Sequence, residues 1–112
     1  MSEQAIKKIL ITGANGFIGG SLMRYYQNQG QDVVGVDLVS NGDDIVEGDI
    51  SQPNSISQLL SESDVIIHTA ALVSNAMQDS DMWRVNVLAT RNLIQAAKEQ
   101  KVRRFVQISS IV

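Results

Sequence analysis

The fold of this chain is decided by the stretch Lys7-Lys8-Ile9-Leu10-Ile11-Thr12-Gly13-Ala14-Asn15-Gly16-Phe17-Ile18-Gly19. A short apolar run passes directly into three glycines spaced three residues apart, and an amphipathic segment follows. This pattern predicts a buried strand, a tight turn and a helix that begins within the turn. A helix N-terminus carries unpaired backbone N–H groups and the positive end of the helix dipole, so the turn is suited to hold an anion above the strand.

Each glycine of the turn has its own expected role. Gly13 permits the sharp exit from the strand, and Gly16 lets a phosphate approach the backbone without a Cβ in the way. Gly19 lets the helix pack closely on the strand. Since the usual anion at such a turn is the pyrophosphate of a dinucleotide, the stretch predicts a dinucleotide site.

Composition narrows the class of protein. The chain has 112 residues, which suits one domain, and its 44% hydrophobic and 19% charged content is typical of a soluble globular protein. It contains no Cys and a single His, so we expect no metal centre. A net charge of −3 argues against a nucleic-acid partner. With no long apolar run and no basic leader before an apolar segment, we expect a cytoplasmic protein without membrane contact.

Short apolar runs alternate with longer amphipathic ones along the chain. We predict strands over residues 6–12, 32–37, 45–48, 64–69 and 104–109, and helices over residues 16 to about 29, from a cap at Asn54 or Ser55 through 60, and from 81 to about 100. Gly30 is expected to end the first helix.

The strands are nearly continuous apolar runs, as in a parallel sheet that is buried on both faces. Strands separated by helices predict a doubly wound α/β sheet, the Rossmann fold, with strand order 3-2-1-4-5 and a ligand crevice where strands one and four diverge. Because the sequence stops just after the fifth strand, we expect residues 1–112 to be the N-terminal, dinucleotide-binding part of a longer protein.

Asp37 closes the second strand, 18 residues after Gly19, where a carboxylate can accept hydrogen bonds from the adenosine ribose hydroxyls. It would repel a 2′-phosphate, and no Lys or Arg lies between Arg24 and Arg84 to hold one. The sequence therefore favours NAD over NADP. The alternative is that Asp37 only caps a loop.

Taken together, these segments resemble the N-terminal portion of an extended short-chain dehydrogenase/reductase, the NAD-dependent epimerase/dehydratase family. The matching segments span nearly the whole chain: residues 12–19, Asp37, Gly48-Asp49-Ile50, His68-Thr69-Ala70-Ala71, residues 85–93 and residues 105–110. One departure is Ala89, where the family usually has Gly.

The resemblance implies a set of site residues. Ser110 matches the catalytic Ser or Thr that hydrogen-bonds the reacting substrate oxygen. The positions implied to bind NAD are Gly13, Asn15, Gly16, Phe17, Ile18, Gly19, Asp37, Asp49, Ile50, Ala70, Ala71 and Asn86. For two of them a structural role is the alternative: Asp49 as a helix cap, and Asn86 as a residue that only holds backbone. His68 is expected to be a packed, hydrogen-bonded strand residue and not a general base.

The resemblance further implies hydride transfer between nicotinamide and a secondary alcohol or ketone, on a nucleotide sugar or a hydroxysteroid-like substrate. That chemistry needs a Tyr-x-x-x-Lys pair, and neither Tyr25 nor Tyr26 has a Lys four positions on, so the 112 residues alone are expected to be inactive. A non-catalytic NAD(P)-sensing module is the alternative, and a free-standing nucleotide-binding scaffold is a third. Family members often dimerise through the helix that residues 81–100 resemble, so a homodimer is a further expectation.

Overall fold

A five-stranded parallel sheet forms the centre of the molecule. The computed structural model describes residues 5–40, 42, 44–69 and 79–108. All neighbouring strands run parallel, in the order β3-β2-β1-β4-β5. The predicted doubly wound α/β fold and its strand order are therefore confirmed. The strands are β1 (Ile9–Thr12), β2 (Val33–Asp37), β3 (Ile45–Glu47), β4 (Val65–His68) and β5 (Arg104–Gln107).

Helices cover the two faces of the sheet. Helix α1 (Phe17–Asn28) packs on one face, and a 3₁₀ turn (Pro53–Ile56), α2 (Ser57–Glu62) and α3 (Asp79–Glu99) pack on the other. Within the described part of the chain, no helix is both long enough and apolar enough to cross a membrane.

Alternate residues of β1 feed two separate hydrophobic clusters. Ile9 and Ile11 pack with Met23 of α1, whereas Leu10 packs with Leu93 of α3. Side chains of a strand point to opposite faces in turn, so one short strand supports both layers of helices. All four residues of β1 are buried, which explains why its sequence is a continuous apolar run.

The first strand begins later than predicted, at Ile9 and not at residue 6. The Asp64 carboxylate accepts hydrogen bonds from the backbone N–H groups of Lys7, at 2.7 Å, and Lys8, at 3.1 Å. A side chain therefore takes the donors that a longer strand would give to its neighbour. These two backbone hydrogen bonds also lower the pKa of Asp64, against the opposing effect of burial.

The predicted cap at Asn54 or Ser55 is wrong. Both residues lie inside the 3₁₀ turn that Pro53 opens, and the Ser55 hydroxyl donates to the Gln52 carbonyl at 2.9 Å. Proline at the first position has its φ already set for a helical turn, so the turn starts before either polar residue can cap it. The α2 segment then follows without a side-chain cap.

Helices α1 and α3 end in the same hydrogen-bonded motif. After α1, Gly30 has φ 74°, and the N–H groups of Gly30 and Gln31 donate to the carbonyls of Gln27 and Tyr26. After α3, the equivalent left-handed position is Lys101, with φ 61°. Both ends show the paired bonds of a Schellman motif, and Gly30 ends α1 as predicted.

Candidate functional site

A cleft of about 770 Å³ opens at the carboxyl ends of the strands, next to the point where the order passes from β1 to β4. This is where ligands bind in doubly wound sheets, and the volume is in the range of small-molecule sites. The residues that line the cleft are Gly13, Gly16, Phe17, Ile18, Gly19, Val36, Asp37, Leu38, Gly48, Asp49, Ile50, Ser51, Thr69, Asn86, Ala89 and Thr90.

The glycine turn forms the floor of the cleft, and its geometry requires glycine. Gly13 has φ 70°, which other residues rarely adopt, and its N–H donates to the Val36 carbonyl at 2.9 Å. A Cβ placed on Gly19 would lie 2.1 Å from the Gly13 carbonyl oxygen, which no L side chain tolerates. The expected roles of Gly13 in the turn and of Gly19 in close packing are thus confirmed.

The N-terminus of α1 lies at the cleft, where Gly16, Phe17 and Ile18 are lining residues. Gly16 occupies the N-cap position, no side chain caps the helix, and its first turn contains no acidic residue. The first N–H groups of a helix have no acceptor within the helix, so this end offers donors and a positive dipole end to an anion. Beside it, the Phe17 side chain is 90% exposed and lines the cleft.

Asp37 connects the end of β2 to the glycine turn. Its Oδ2 accepts the Asn15 backbone N–H at 2.9 Å, and its Oδ1 accepts the Leu38 backbone N–H at 2.8 Å. A carboxylate offers about four lone-pair sites, so the half-buried side chain retains capacity for two more donors. Asp37 therefore holds local backbone and still presents acceptor sites to the cleft.

Asp49 and Ile50 form the wall below β3. The Asp49 Oδ1 accepts both the backbone N–H of Ser51, at 2.9 Å, and its hydroxyl, at 2.7 Å. This turn fixes an exposed carboxylate at the rim of the cleft, beside the half-buried Ile50 side chain. The wall thus combines a hydrogen-bond acceptor with an apolar surface, as a flat heterocycle with an exocyclic amine requires.

Helix α3 forms the opposite wall of the cleft, and its Thr90 is hydrogen-bonded to His68 at the end of β4. The His68 ring is 2% exposed; its Nδ1 lies 2.6 Å from the Thr12 Oγ1 and its Nε2 lies 3.0 Å from the Thr90 Oγ1. Burial lowers the pKa of His68 below its ordinary value. The prediction that His68 is a packed, hydrogen-bonded strand residue is confirmed.

The cleft brings together nine of the predicted NAD-binding residues: Gly13, Gly16, Phe17, Ile18, Gly19, Asp37, Asp49, Ile50 and Asn86. Asn15 is placed differently, because its side-chain amide donates to the Val39 carbonyl at 2.5 Å and its backbone binds Asp37. Ala70, Ala71 and Ser110 lie outside the described residues.

Seven lining residues were not predicted as site residues: Val36, Leu38, Gly48, Ser51, Thr69, Ala89 and Thr90. Most of them flank predicted positions in the chain, so the strand ends alone could have indicated them. Thr90 does not flank a predicted position. It could have been predicted only from its place one helical turn after Asn86, which puts both residues on the same face of the helix. Among the described residues that line the cleft there is no Lys or Arg.

Fold and site together define a dinucleotide-binding domain of the doubly wound class. Residues 9–112 match the NAD dependent epimerase/dehydratase family. The chain belongs to this family, whose name states its cofactor.

Similar proteins include enzymes with quite different substrates. The chain is 34% identical to D-erythronate dehydrogenase of Haemophilus influenzae, covering 93% of this chain and 38% of that protein. It is 29% identical to 3-beta-hydroxysteroid dehydrogenase of Mycolicibacterium neoaurum, covering 92% and 32%. The solved structure of MoeE5 in complex with UDP-glucose and NAD superposes with a TM-score of 0.79 at 34% identity, covering 92% of this chain and 36% of that one. The chain thus spans about a third of the length of these relatives.

Proposed function

We propose that the cleft binds NAD, and that the whole protein moves a hydride between the nicotinamide and a secondary alcohol or ketone. The observation that carries the proposal is the meeting, in one cleft, of an uncapped helix N-terminus, the Asp37 carboxylate and the Asp49–Ile50 wall. The floor also allows a close approach by the cofactor, because Gly16 carries no Cβ; one placed there would lie 3.2 Å from the Gly13 carbonyl oxygen.

The residues divide the cleft into parts with different chemistry. We assign the adenine to the wall of Asp49 and Ile50, with the Asp49 carboxylate accepting from the exocyclic amine. The remaining acceptor sites of Asp37 take the adenosine ribose hydroxyls. The N-terminal N–H groups of α1 take the pyrophosphate, and the far end of the cleft, beside Thr69 and α3, takes the nicotinamide ribose. Ala70 and Ala71 are proposed to contact the cofactor at its central ribose and phosphates.

Bound NAD supplies the acceptor or donor of the hydride, and the chain supplies its placement. Ser110 is proposed to hydrogen-bond the substrate oxygen. Tyr25 is 57% exposed on α1, and Tyr26 packs in the cluster on the α1 face of the sheet. Neither tyrosine lines the cleft, so we propose that the 112 residues bind NAD without turning over substrate.

The substrate class stays broad. Relatives act on a sugar acid and on a hydroxysteroid, and another was solved with a nucleotide sugar. We propose a nucleotide sugar or a hydroxysteroid-like alcohol. A non-catalytic NAD(P)-sensing module remains the second candidate, since the cleft holds the cofactor's binding groups and the described residues include no Tyr at the cleft.

Titration with NAD and with NADP by calorimetry tests the cofactor proposal directly. The Asp37 carboxylate, and the lack of Lys and Arg among the described lining residues, predict that NAD binds more tightly than NADP, by at least about tenfold. Equal binding of the two, or tighter binding of NADP, contradicts the role of Asp37. Absence of NAD binding contradicts the proposed function as a whole.

We propose a homodimer through residues 81–100 as well. Val87 and Ile94 lie seven residues apart on α3 and are 42% and 38% exposed, with Leu88 at 47%. Val87 and Ile94 therefore lie on one side of the helix, with the exposed Arg91 between them, and offer two apolar contacts to a second copy. Sedimentation of the wild type and of Val87→Lys tests it: the wild type should sediment as a dimer and the variant as a monomer, whereas a monomeric wild type contradicts the proposal.

A further inference from the structure

Two lining segments of the cleft are joined by the ring of His68. The ring lies at the end of β4, beside Thr12 in register on β1, and it bonds Thr12 with one nitrogen and Thr90 of α3 with the other. A neutral imidazole has one donor and one acceptor, so in either tautomer one threonine hydroxyl donates to the ring and the other accepts from it. Among the described side chains, these hydrogen bonds thus connect β1 and β4 of the sheet to helix α3.

The connection continues from Thr12 to the glycine turn. The Thr69 backbone N–H donates to the Thr12 Oγ1 at 3.1 Å, and the Thr69 hydroxyl donates to the Thr12 carbonyl at 2.6 Å. The same hydroxyl lies 3.4 Å from the Gly13 carbonyl and would be 2.9 Å from a Cβ on Gly19. The connection therefore runs from α3 through the ring to the edge of the glycine turn.

Among the described side chains of α3, apolar packing decreases toward the cleft. Leu93 and Ala97 anchor the C-terminal half of the helix in the core. Toward the cleft, the buried apolar contribution of the described residues falls to the single methyl group of Ala89, beside the polar Asn86 and Thr90. At the point where the helix lines the cleft, the buried His68 ring forms a hydrogen bond with Thr90.

We propose that His68 is a positioning residue for the nicotinamide half of the cleft, whose bonds to Thr12 and Thr90 fix α3 relative to the glycine turn. This inference rests on the proposed NAD function. His68 does not touch the cofactor; it acts through Thr12, Thr69 and Thr90. We call the bonds from Thr12 through His68 to Thr90 the bridge. The adenine half of the cleft, built on β2 and β3, does not depend on it.

The dependence on one half of the cleft provides the test. His68→Asn keeps an amide near the position of Nδ1, and so the bond to Thr12, but is too short to reach Thr90. Thr90→Val removes the bridge from the other end, while Thr90→Ser keeps the hydroxyl. Binding of NAD, which fills the whole cleft, and of AMP, which fills the adenine half, is measured by calorimetry for each variant and for the double variant.

We expect His68→Asn and Thr90→Val each to weaken NAD binding by about tenfold and to leave AMP binding within about twofold. The double variant should be no weaker than the weaker single variant, because both remove one bond. Thr90→Ser should bind NAD nearly as the wild type does. Ile66→Val, a buried change on β4 that spares the bridge, should alter neither affinity.

If the variants lose NAD and AMP binding equally, or lose neither, the positioning role is overturned. It is also overturned if the losses of the two single variants multiply in the double variant, because Thr90 would then contact NAD by itself. If His68→Asn does not fold, the Thr90→Ser and Thr90→Val pair decides by the same two ligands. If the wild-type chain binds AMP and NAD but the variants contradict the role of His68, the proposed function still holds. A wild-type chain that binds neither overturns both.

Discussion

The Asp37 carboxylate accepts the backbone N–H of Asn15 at 2.9 Å, which joins the end of β2 to the middle of the glycine turn. The second oxygen binds the Leu38 N–H at 2.8 Å. The sequence alone suggested a choice between a ribose acceptor and a loop cap for Asp37. The geometry shows that the two roles are compatible, because the same carboxylate that orders the turn keeps acceptor sites for a ligand.

Replacement of Asp37 should therefore affect both stability and cofactor affinity. We expect Asp37→Ala to lower the free energy of unfolding by about 1 kcal/mol, through two lost acceptors in a partly solvated position. NAD affinity should fall by about tenfold or more, through the lost ribose acceptor and the looser turn. Denaturant unfolding and calorimetry measure the two effects.

Asp44→Ala, an exposed carboxylate outside the cleft, is the control for the change in net charge. It should leave NAD affinity unchanged. If Asp37→Ala binds NAD as tightly as the wild type, Asp37 is a loop residue and not a cofactor residue.

Two adjacent glycines of α1 provide a matched pair. Gly19→Ala places a Cβ 2.1 Å from the Gly13 carbonyl oxygen, and that atom belongs to backbone held by the sheet. We expect it to cost at least about 2 kcal/mol in unfolding free energy and to abolish detectable NAD binding, because α1 must move away from β1.

Gly20→Ala meets nothing closer than the Ala14 carbonyl oxygen at 3.4 Å, an ordinary contact. Since alanine is the better helix former, this variant should gain about 0.5–1 kcal/mol and retain NAD binding. Thermal unfolding and calorimetry compare the two variants. Similar losses in both would show that helix propensity and not close packing sets the requirement at residue 19.

The parts of the structure that followed from the sequence are those with a local cause. The apolar run of β1 and the glycine spacing specify a strand, a turn and a helix, and burial on both faces specifies a parallel sheet. Boundaries set by distant partners did not follow. Nothing near residue 6 shows that the Asp64 carboxylate will bind the Lys7 and Lys8 amides, 57 and 56 residues away in the chain.

The same reason explains what was missed at the site. Asp37 ends β2, and Asp49 and Ile50 follow β3; all three were predicted, and the structure places them on the cleft. The bond between His68 and Thr90 joins a strand to a helix 22 residues on, and each residue alone has an ordinary explanation. The register of β1 with β4 brings the Thr12 hydroxyl to the ring, and the packing of α3 on the sheet brings the Thr90 hydroxyl.

Lys101 occupies a backbone position after α3 that glycine would suit better. It occupies the left-handed position after α3 with φ 61°, in the motif that Gly30 completes after α1. A non-glycine residue there is strained by roughly 1 kcal/mol. We expect Lys101→Gly to raise the free energy of unfolding by about 0.5–1 kcal/mol.

Lys98→Gly is the matched control, the same substitution within the last turn of the helix. It should lower the free energy of unfolding by about 0.5–1 kcal/mol, because glycine is a poor helix former. Chemical denaturation of both variants measures whether the unfolding free energy rises or falls in each. A loss of stability for Lys101→Gly would contradict the strain assigned to this position.

The buried ring of His68 should also make the stability of the fold depend on pH. Burial lowers the pKa of His68 in the folded protein, whereas in the unfolded chain it titrates near 6.5. Between these two values the unfolded chain binds a proton that the folded protein does not. The unfolding free energy should therefore fall as pH decreases below about 6.5, by up to about 1.4 kcal/mol per pH unit, until the folded pKa is reached.

This slope can be assigned, because His68 is the single histidine of the sequence and the pKa of Asp64 is lowered, away from this pH range. Denaturant unfolding of the wild type and of His68→Asn between pH 5 and 7.5, a window set by the ordinary carboxylate and histidine pKa values, measures it. The wild type should lose stability toward pH 5 and the variant should not. An equal slope in both proteins would mean that the ring does not stay neutral on folding, and that its two threonine bonds are made by an imidazolium.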